Sequence, residues 1–455
     1  HLTFREIPFS EMAKQSGNRL YINTVMFGFI AGMLDIDVEN AKDQIKMRFK
    51  KLGEEIVLGN LKAFNLGYTA GDSEPKKTLR EKPVDFTPHK VFNGNNALVI
   101  GALAGGVNYL AAYPMSPGTS VMSMLSEKSH TYGVLVEQAE DEIAAMNMIQ
   151  GAWYAGARAM TTTSGGGFAL MSEAVSLAGM TETPAVIHVA QRPGPATGLP
   201  TRTEQGDLNL VVFAGHGEFP RVVYAPGTIE DGIELAARAF WMADKYQIPV
   251  FLLSDQYWLE SMVAADPSIP RQYLERFIVA SGSEYQRYAF DASGISPRSV
   301  PGFGKGFVKV DSDEHDESGA ITESFEMRVK MQNKRLHKFE LLLADEVEPI
   351  LYGKKDAKHL LVGWGSTYGV LREYVDSHPD TGLVHLRQVY PLPASLENRL
   401  RNAEAVIVIE NNATGQLANL MQMTYGSKFD HRILKYSGEP FFIEEIERRI
   451  KEVLV

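Results

Sequence analysis

Four acids, Glu137, Glu140, Asp141 and Glu142, crowd the start of one segment, VEQAEDEIAAMNMIQGAWYAGARAM. An acid there can do either of two things. It can complement the positive end of a helix, or it can be carried into a pocket, where it makes charge-assisted hydrogen bonds and moves protons. Glu137 and Glu140 fit the first role better and Glu142 the second, while Asp141 is a candidate for either. A second polar cluster, Thr197, Thr201, Arg202, Thr203, Glu204 and Gln205, lies in GPATGLPTRTEQGDLNLVVFAG. That loop follows PAVIHVAQRP, which ends at Arg192 and Pro193, and a long polar loop at a strand end usually carries function.

The elements that must position these groups are legible around them. Residues 112–167 read as the mouth of a strand, a helix with an acidic first turn, a short buried strand, and the glycine-rich turn TTTSGGGF into another helix. Open α/β sheets bind ligands at the carboxyl ends of their strands. Two such ends flank the acidic helix, which puts Glu142 beside a pocket. Downstream, RVVYAP, TIEDGIELAARAFWMADKYQ and IPVFLLSDQYW continue the alternation of strand and helix, so the sheet is predicted to be parallel and covered on both faces. The apolar Ala97–Ala112 stretch, with its three glycines, reads as a buried helix packed on that sheet. No GxGxxG follows a strand here, which argues against dinucleotide binding.

At 455 residues the chain is too long for one core. Residues 1–71 read as a helical fragment, 72–90 as a charged, proline-bearing linker, and 91–265 as the α/β domain above. Residues 266–345 form a loop excursion with a connecting helix, and 346–455 a small α/β unit of normal domain size. The chain opens at His1 inside a segment that reads as folded, which suggests cleavage or an incomplete start. The net charge of −11 disfavours a nucleic-acid surface. Both basic runs, KMRFKK (Lys46–Lys51) and KRLHK (Lys334–Lys338), read as solvated helix faces. Asp313, Glu314, His315 and Asp316 lack the spacing of a metal site and read as a solvated loop. Cysteine is absent, so this chain holds no disulfide, thiolate nucleophile or cysteine-held iron–sulfur cluster. No apolar run approaches the ~20 residues of a membrane span, and no signal-peptide pattern opens the chain, so a cytoplasmic location is expected.

YPMSP, VEQAEDEIAAMNMIQGAWYAGARAMTTTSGGGFALM and TGLPTRTEQGDL, in this order, resemble the α subunit of the 2-oxoacid:ferredoxin oxidoreductases. HLLVGWGST, VYPLP and ENNATGQL resemble that family's second domain, which is related to transketolase C-terminal domains. Residues 1–71 are similar to the closing helices of the γ component that some members fuse ahead of α, with γ's opening strand and glycine loop missing. The fold implied is a thiamine-diphosphate-binding, pyrimidine-type parallel sheet domain plus a transketolase C-terminal-like α/β domain, preceded by the helical fragment.

The resemblance implies oxidative decarboxylation of a 2-oxoacid with coenzyme A, giving acyl-CoA, carbon dioxide and reduced ferredoxin. The α chain supplies the pyrimidine side of a shared thiamine diphosphate site. A β subunit supplies the diphosphate and Mg2+ side and an iron–sulfur cluster, in a dimer of αβ heterodimers. The absence here of a GDG motif followed by a distant asparagine agrees with half a site. A glutamate held against a pyrimidine ring nitrogen in a dry pocket would shift the exocyclic amine toward its imino form, and the family motif places Glu142 in that role. Arg202 corresponds to the family's substrate arginine, with Arg192 the alternative and Thr201 beside it. Ser116 stands where the family's YPxTP turn has threonine; it either donates to the substrate or caps the next helix. Thr161 to Gly167, with Thr163 and Ser164, either floors the pyrimidine pocket or, through its glycines, only permits close packing. The fused γ–α arrangement inclines the substrate toward 2-oxoglutarate over pyruvate. A non-catalytic assembly subunit, or a transketolase-type enzyme working without ferredoxin, would be the other readings; the second needs a diphosphate motif within the same chain.

Overall fold

The computed structural model describes residues 6–75 and 90–454, in two compact units divided between Pro88 and His89. The first residues, and most of the segment expected to be a linker, lie outside the described residues.

The first unit is helical, with helices Phe9–Gln15, Ile22–Met33, Val38–Phe49 and Glu54–Asp72. Glycines set how closely the second and fourth of these pack. A Cβ on Gly28 would stand 2.2 Å from the Phe64 carbonyl oxygen, and one on Gly67 would stand 2.0 Å from that of Val25. Only glycine lets the two backbones approach this far. KMRFKK lies on an exposed face as expected, with Lys46 paired to Asp43 at 2.8 Å.

The second unit holds the strands β1 (Lys90–Phe92), β2 (Tyr109–Ala112), β3 (Leu135–Gln138), β4 (Ala159–Thr163), β5 (Ala185–Gln191), β6 (Val222–Tyr224), β7 (Pro249–Asp255), β8 (Val263–Ala265), β9 (Ile350–Gly353), β10 (His359–Trp364), β11 (Thr381–Leu386), β12 (Gln388–Tyr390), β13 (Ala405–Glu410) and β14 (His431–Leu434). Seven of them form the main sheet in the order β12-β6-β7-β5-β4-β2-β3. Every pair in it is parallel except β12 with β6. The second sheet runs β14-β13-β10-β11-β9, with β9 antiparallel at its edge. Strands β4, β5 and β7 are buried along their whole length, as parallel strands covered on both faces must be. β12 lies among the elements of the small sheet in sequence yet joins the main one, so the two sheets share a chain crossing as well as a core.

Three expectations need correction. The Ala97–Ala112 stretch is not one helix: helix Gly94–Ala104 ends at the glycines, and β2 takes Tyr109–Ala112. KRLHK is not a solvated face, because Lys334, Arg335 and Lys338 are buried. Lys334 and Lys338 reach Glu182 at 2.6 and 2.5 Å. Burial alone would raise the Glu182 carboxyl, yet these two ammonium groups hold it below the usual range. Nor is the 313–316 loop solvated throughout. His315 is buried, and Glu314 accepts from Arg328 and Arg335, each at 2.7 Å. The 266–345 excursion is thus clamped to the sheet domain by ion pairs that sequence periodicity cannot signal. Among the described residues no group of acids, histidines or cysteines could hold a metal ion, and no helix is long and apolar enough to cross a membrane.

Candidate active site

Helix Glu142–Tyr154 buries Glu142, Ala145, Met146, Ile149, Gln150 and Trp153, a spacing of three and four that defines one face. Glu142 stands at the sheet-facing corner of its first turn. The other acids resolve by geometry. Glu137 and Glu140 are exposed. Asp141 caps the helix, its side chain accepting from the Ala144 N–H at 2.7 Å, which is the ordinary work of an acid at that position. Glu142 is 3% exposed, and its Oε1 finds no hydrogen-bond partner among the described residues.

The carboxyl end of β4 faces it. A Cβ on Gly167 would lie 2.2 Å from Thr163 Oγ1 and 2.4 Å from Glu142 Oε1, and one on Gly165 would lie 2.3 Å from the Asp207 carboxylate. The glycines therefore do more than let a helix approach a sheet: they clear space for two acids and a hydroxyl. Thr161 Oγ1, Thr163 Oγ1, Ser164 Oγ, Gln191 Nε2 and Asp207 Oδ2 join Glu142 Oε1 as buried polar atoms without a partner among the described residues. Buried polar groups are almost always satisfied. Six unsatisfied ones about a single glycine-rich turn form a cradle for a polar ligand. A heteroaromatic ring carrying both donors and acceptors would suit such a set.

The polar loop after β5 differs in kind. Asp207 is pushed up to about 6 by burial, against the pull of Arg192. Half-buried Glu204 also rises to about 6, through burial and the nearby Asp207. Two neighbouring carboxyls with raised pKa values are a common mark of a functional site. Arg202 and Thr201 are exposed at the loop's apex. Arg202 lies over Gly438, whose Cβ would stand 3.2 Å from its own, and its guanidinium makes no hydrogen bond or ion pair among the described residues. Arg192 donates to the Ser116 carbonyl at 2.7 Å. Ser116 is exposed and does not cap the next helix, which begins after Gly118 without a side-chain cap.

The loop is held by residues far along the chain. Fully buried Gln205 donates through Nε2 to the Trp364 carbonyl at 2.8 Å and accepts at Oε1 from the Asn411 N–H at 2.9 Å. Its own N–H donates to the Asn411 carbonyl at 2.6 Å, and its carbonyl accepts from Asn412 at 3.1 Å. Gln416 donates to the Gly206 carbonyl at 2.7 Å, and Thr203 donates to Asp255 at 3.0 Å. Asp207, Gln191, and the pinning role of Gln205 with Asn411 and Asn412, escape sequence reasoning. The one usable signal was ENNATGQL, an asparagine-rich strand end.

A family model for pyruvate flavodoxin/ferredoxin oxidoreductase, thiamine diphosphate-binding, matches residues 100–334, and one for pyruvate ferredoxin/flavodoxin oxidoreductase matches residues 1–70. The 2-oxoacid:ferredoxin oxidoreductase 2 subunit alpha of Aeropyrum pernix is 34% identical across 98% of this chain and 75% of its own length. The 2-oxoacid:ferredoxin oxidoreductase 1 subunit alpha of Sulfurisphaera tokodaii is 37% identical over 80% of this chain, which spans 61% of that relative. The 2-oxoglutarate oxidoreductase subunit KorA of Mycobacterium tuberculosis is 31% identical over the whole chain and 71% of its own. Among solved structures, 2-oxoglutarate:ferredoxin oxidoreductase from Magnetococcus marinus, with 2-oxoglutarate, coenzyme A and succinyl-CoA bound, superposes with a TM-score of 0.90 at 32% identity. The match covers 99% of this chain and 80% of that one.

Proposed function

The chain belongs to the thiamine diphosphate-binding pyruvate flavodoxin/ferredoxin oxidoreductase family, and from that premise we propose that it is the α subunit of a 2-oxoacid:ferredoxin oxidoreductase. The reaction is oxidative decarboxylation of a 2-oxoacid with coenzyme A, yielding acyl-CoA, carbon dioxide and two electrons for ferredoxin. The substrate we favour is 2-oxoglutarate, supported by the names of several relatives and the ligands of the solved neighbour. A β subunit completes the enzyme in this reading, carrying the diphosphate and Mg2+ side of the cofactor site and an iron–sulfur cluster, in a dimer of αβ heterodimers.

The observation that carries the reading is the unpartnered, buried Glu142 carboxyl beside Thr163 and Gly167. Bound thiamine diphosphate supplies a nucleophilic carbon and an electron sink for decarboxylation. The residues present fit its aminopyrimidine: Glu142 offers a carboxyl able to give or take a proton at a ring nitrogen, and Thr163 and Ser164 offer hydroxyls that can donate or accept. In so dry a site the Glu142 hydrogen bond is charge-assisted and strong. Arg202, with Thr201 beside it, meets the substrate carboxylate as a planar fork, a contact worth about 1.5–3 kcal/mol. Ser116, on the turn that Arg192 holds, donates to the 2-oxoacid. An assembly subunit without catalytic work would have no use for a buried acid left unpaired at a cost of about 1–3 kcal/mol.

Glu142→Gln, purified with its β partner, tests the assignment. Oxidation falls at least ~100-fold while the complex stays intact; a rate within about threefold of the native enzyme overturns it.

A further inference from the structure

Behind the Ser116 turn, three buried side chains on neighbouring strands form a continuous chain of hydrogen bonds. His188, on β5, is fully buried between Thr162 on β4 and Ser254 on β7. Its Nδ1 lies 2.8 Å from Thr162 Oγ1 and its Nε2 lies 2.8 Å from Ser254 Oγ. Thr162 Oγ1 also lies 3.1 Å from the carbonyl oxygen of Gly118.

The direction of every bond follows from that last contact. A carbonyl only accepts, so the Thr162 hydroxyl donates to Gly118. With its one proton spent, Thr162 accepts from His188, which must carry its proton on Nδ1. Nε2 is then a bare acceptor, and Ser254 donates to it. The opposite arrangement would set the Thr162 and Gly118 lone pairs against each other and lose a bond. A neutral ring is also what the site demands, since burial holds the His188 pKa down at about 3.

We propose that His188, in its Nδ1–H tautomer, is a positioning residue that orients the Thr162 hydroxyl onto the Gly118 carbonyl and so sets the turn that presents Ser116 to the 2-oxoacid. The turn sits hard on β4, a Cβ at Gly118 falling 2.9 Å from both Thr162 Oγ1 and the Thr163 carbonyl oxygen. Arg192 holds the same turn from its other side, at the Ser116 carbonyl. Clamped at both carbonyls, it has little freedom to redirect its hydroxyl. This role rests on the proposed contact between Ser116 and substrate.

The test uses the complete complex with its β partner and compares Ser116→Ala, His188→Leu, His188→Asn and Thr162→Val. His188→Leu keeps the bulk and loses the donor; His188→Asn restores a donor near the Nδ1 position. His188→Leu and Thr162→Val each raise KM for the 2-oxoacid about fivefold, with kcat and thiamine diphosphate affinity little changed, and His188→Asn returns KM to within about twofold. If His188→Leu does not fold, Thr162→Val carries the comparison. An effect of Ser116→Ala on KM without one from Thr162→Val or His188→Leu overturns the positioning role, as does a His188→Asn enzyme no better than His188→Leu. Silence from Ser116→Ala instead overturns the substrate contact. Solid-state NMR of the complex labelled with 15N-histidine, assigned by subtraction of His188→Asn, reads the tautomer independently of activity. A protonated Nε2 would refute the bond directions.

Discussion

The glycine-rich turn after β4 and the polar loop after β5 both lie at strand ends of the same sheet, and their hydrogen bonding is opposite. Around the turn, Glu142, Thr161, Thr163 and Ser164 each keep a buried polar atom unpaired. In the loop, Gln205 is satisfied at all four of its polar groups by Trp364 of β10 and by Asn411 and Asn412 just after β13. The turn packs against Glu142 and Asp207 and leaves Glu142 Oε1 and Asp207 Oδ2 unpaired among the described residues. The Gln205 stretch is complete without a ligand, and the loop's apex, with Thr201 and Arg202, is open to solvent. In the proposed reading, cofactor binding falls to a region with unmet hydrogen-bonding capacity. Substrate binding, in the same proposed reading, falls to a region whose backbone is already satisfied elsewhere, so that an exposed guanidinium can be aimed.

The sharpest way to break this contrast is to fill the space at the turn. Gly167→Ala pushes a methyl into Thr163 and Glu142; the variant is expected to lose at least ~100-fold in activity and about 1–3 kcal/mol in stability, checked by steady-state rates and thermal melting of the complex. At the loop apex the effect is confined to substrate. Arg202→Lys keeps the charge but not the fork, and kcat/KM for 2-oxoglutarate falls about 10–100-fold, with an unchanged melting temperature because the side chain is exposed.

Gln205→Leu carries the contrast into stability, since it strands the Trp364 carbonyl and the Asn411 N–H. Denaturant unfolding should show a loss of about 2–4 kcal/mol, and KM should rise while thiamine diphosphate affinity holds. A pH effect comes next. The folded pKa of Asp207, about 6, lies above its ordinary 3.8, so the native state binds this proton more tightly than the unfolded chain does. The penalty for ionising it is absent below about pH 4 and complete above about pH 6. Asp207→Asn is therefore expected to raise stability by about 1–2 kcal/mol at pH 8 and to lose that gain at pH 4, read from melts at the two pH values. The smallest effect belongs to the exposed acids: Glu137→Gln and Glu140→Gln should each leave rates within about twofold.

Much of this was legible beforehand. The alternation of strands and helices in residues 109–255 produced the parallel sheet it predicts, and helical spacing together with the family motif favoured Glu142 over its neighbours. KRLHK shows where such reading fails. Its charges carry the pattern of a surface helix, yet Lys334 and Lys338 are buried against Glu182, more than 150 residues earlier. Periodicity reports which face a residue occupies and says nothing of a partner that arrives from elsewhere and cancels its charge.

The same limit divides the site. The chain alone determined which chemistries were on offer: an acid at a helix start beside a strand mouth, hydroxyls and glycines in one turn, a guanidinium in a polar loop. Backbone preference, capping and hydrophobic period are short-range, and they act within a few residues. Tertiary structure decided which acid stays unpaired, which glutamine becomes a pin, and which histidine is locked in one tautomer. Those outcomes depend on desolvation and on hydrogen-bond partners, and both are supplied by segments distant in sequence that meet only when the two sheets have packed.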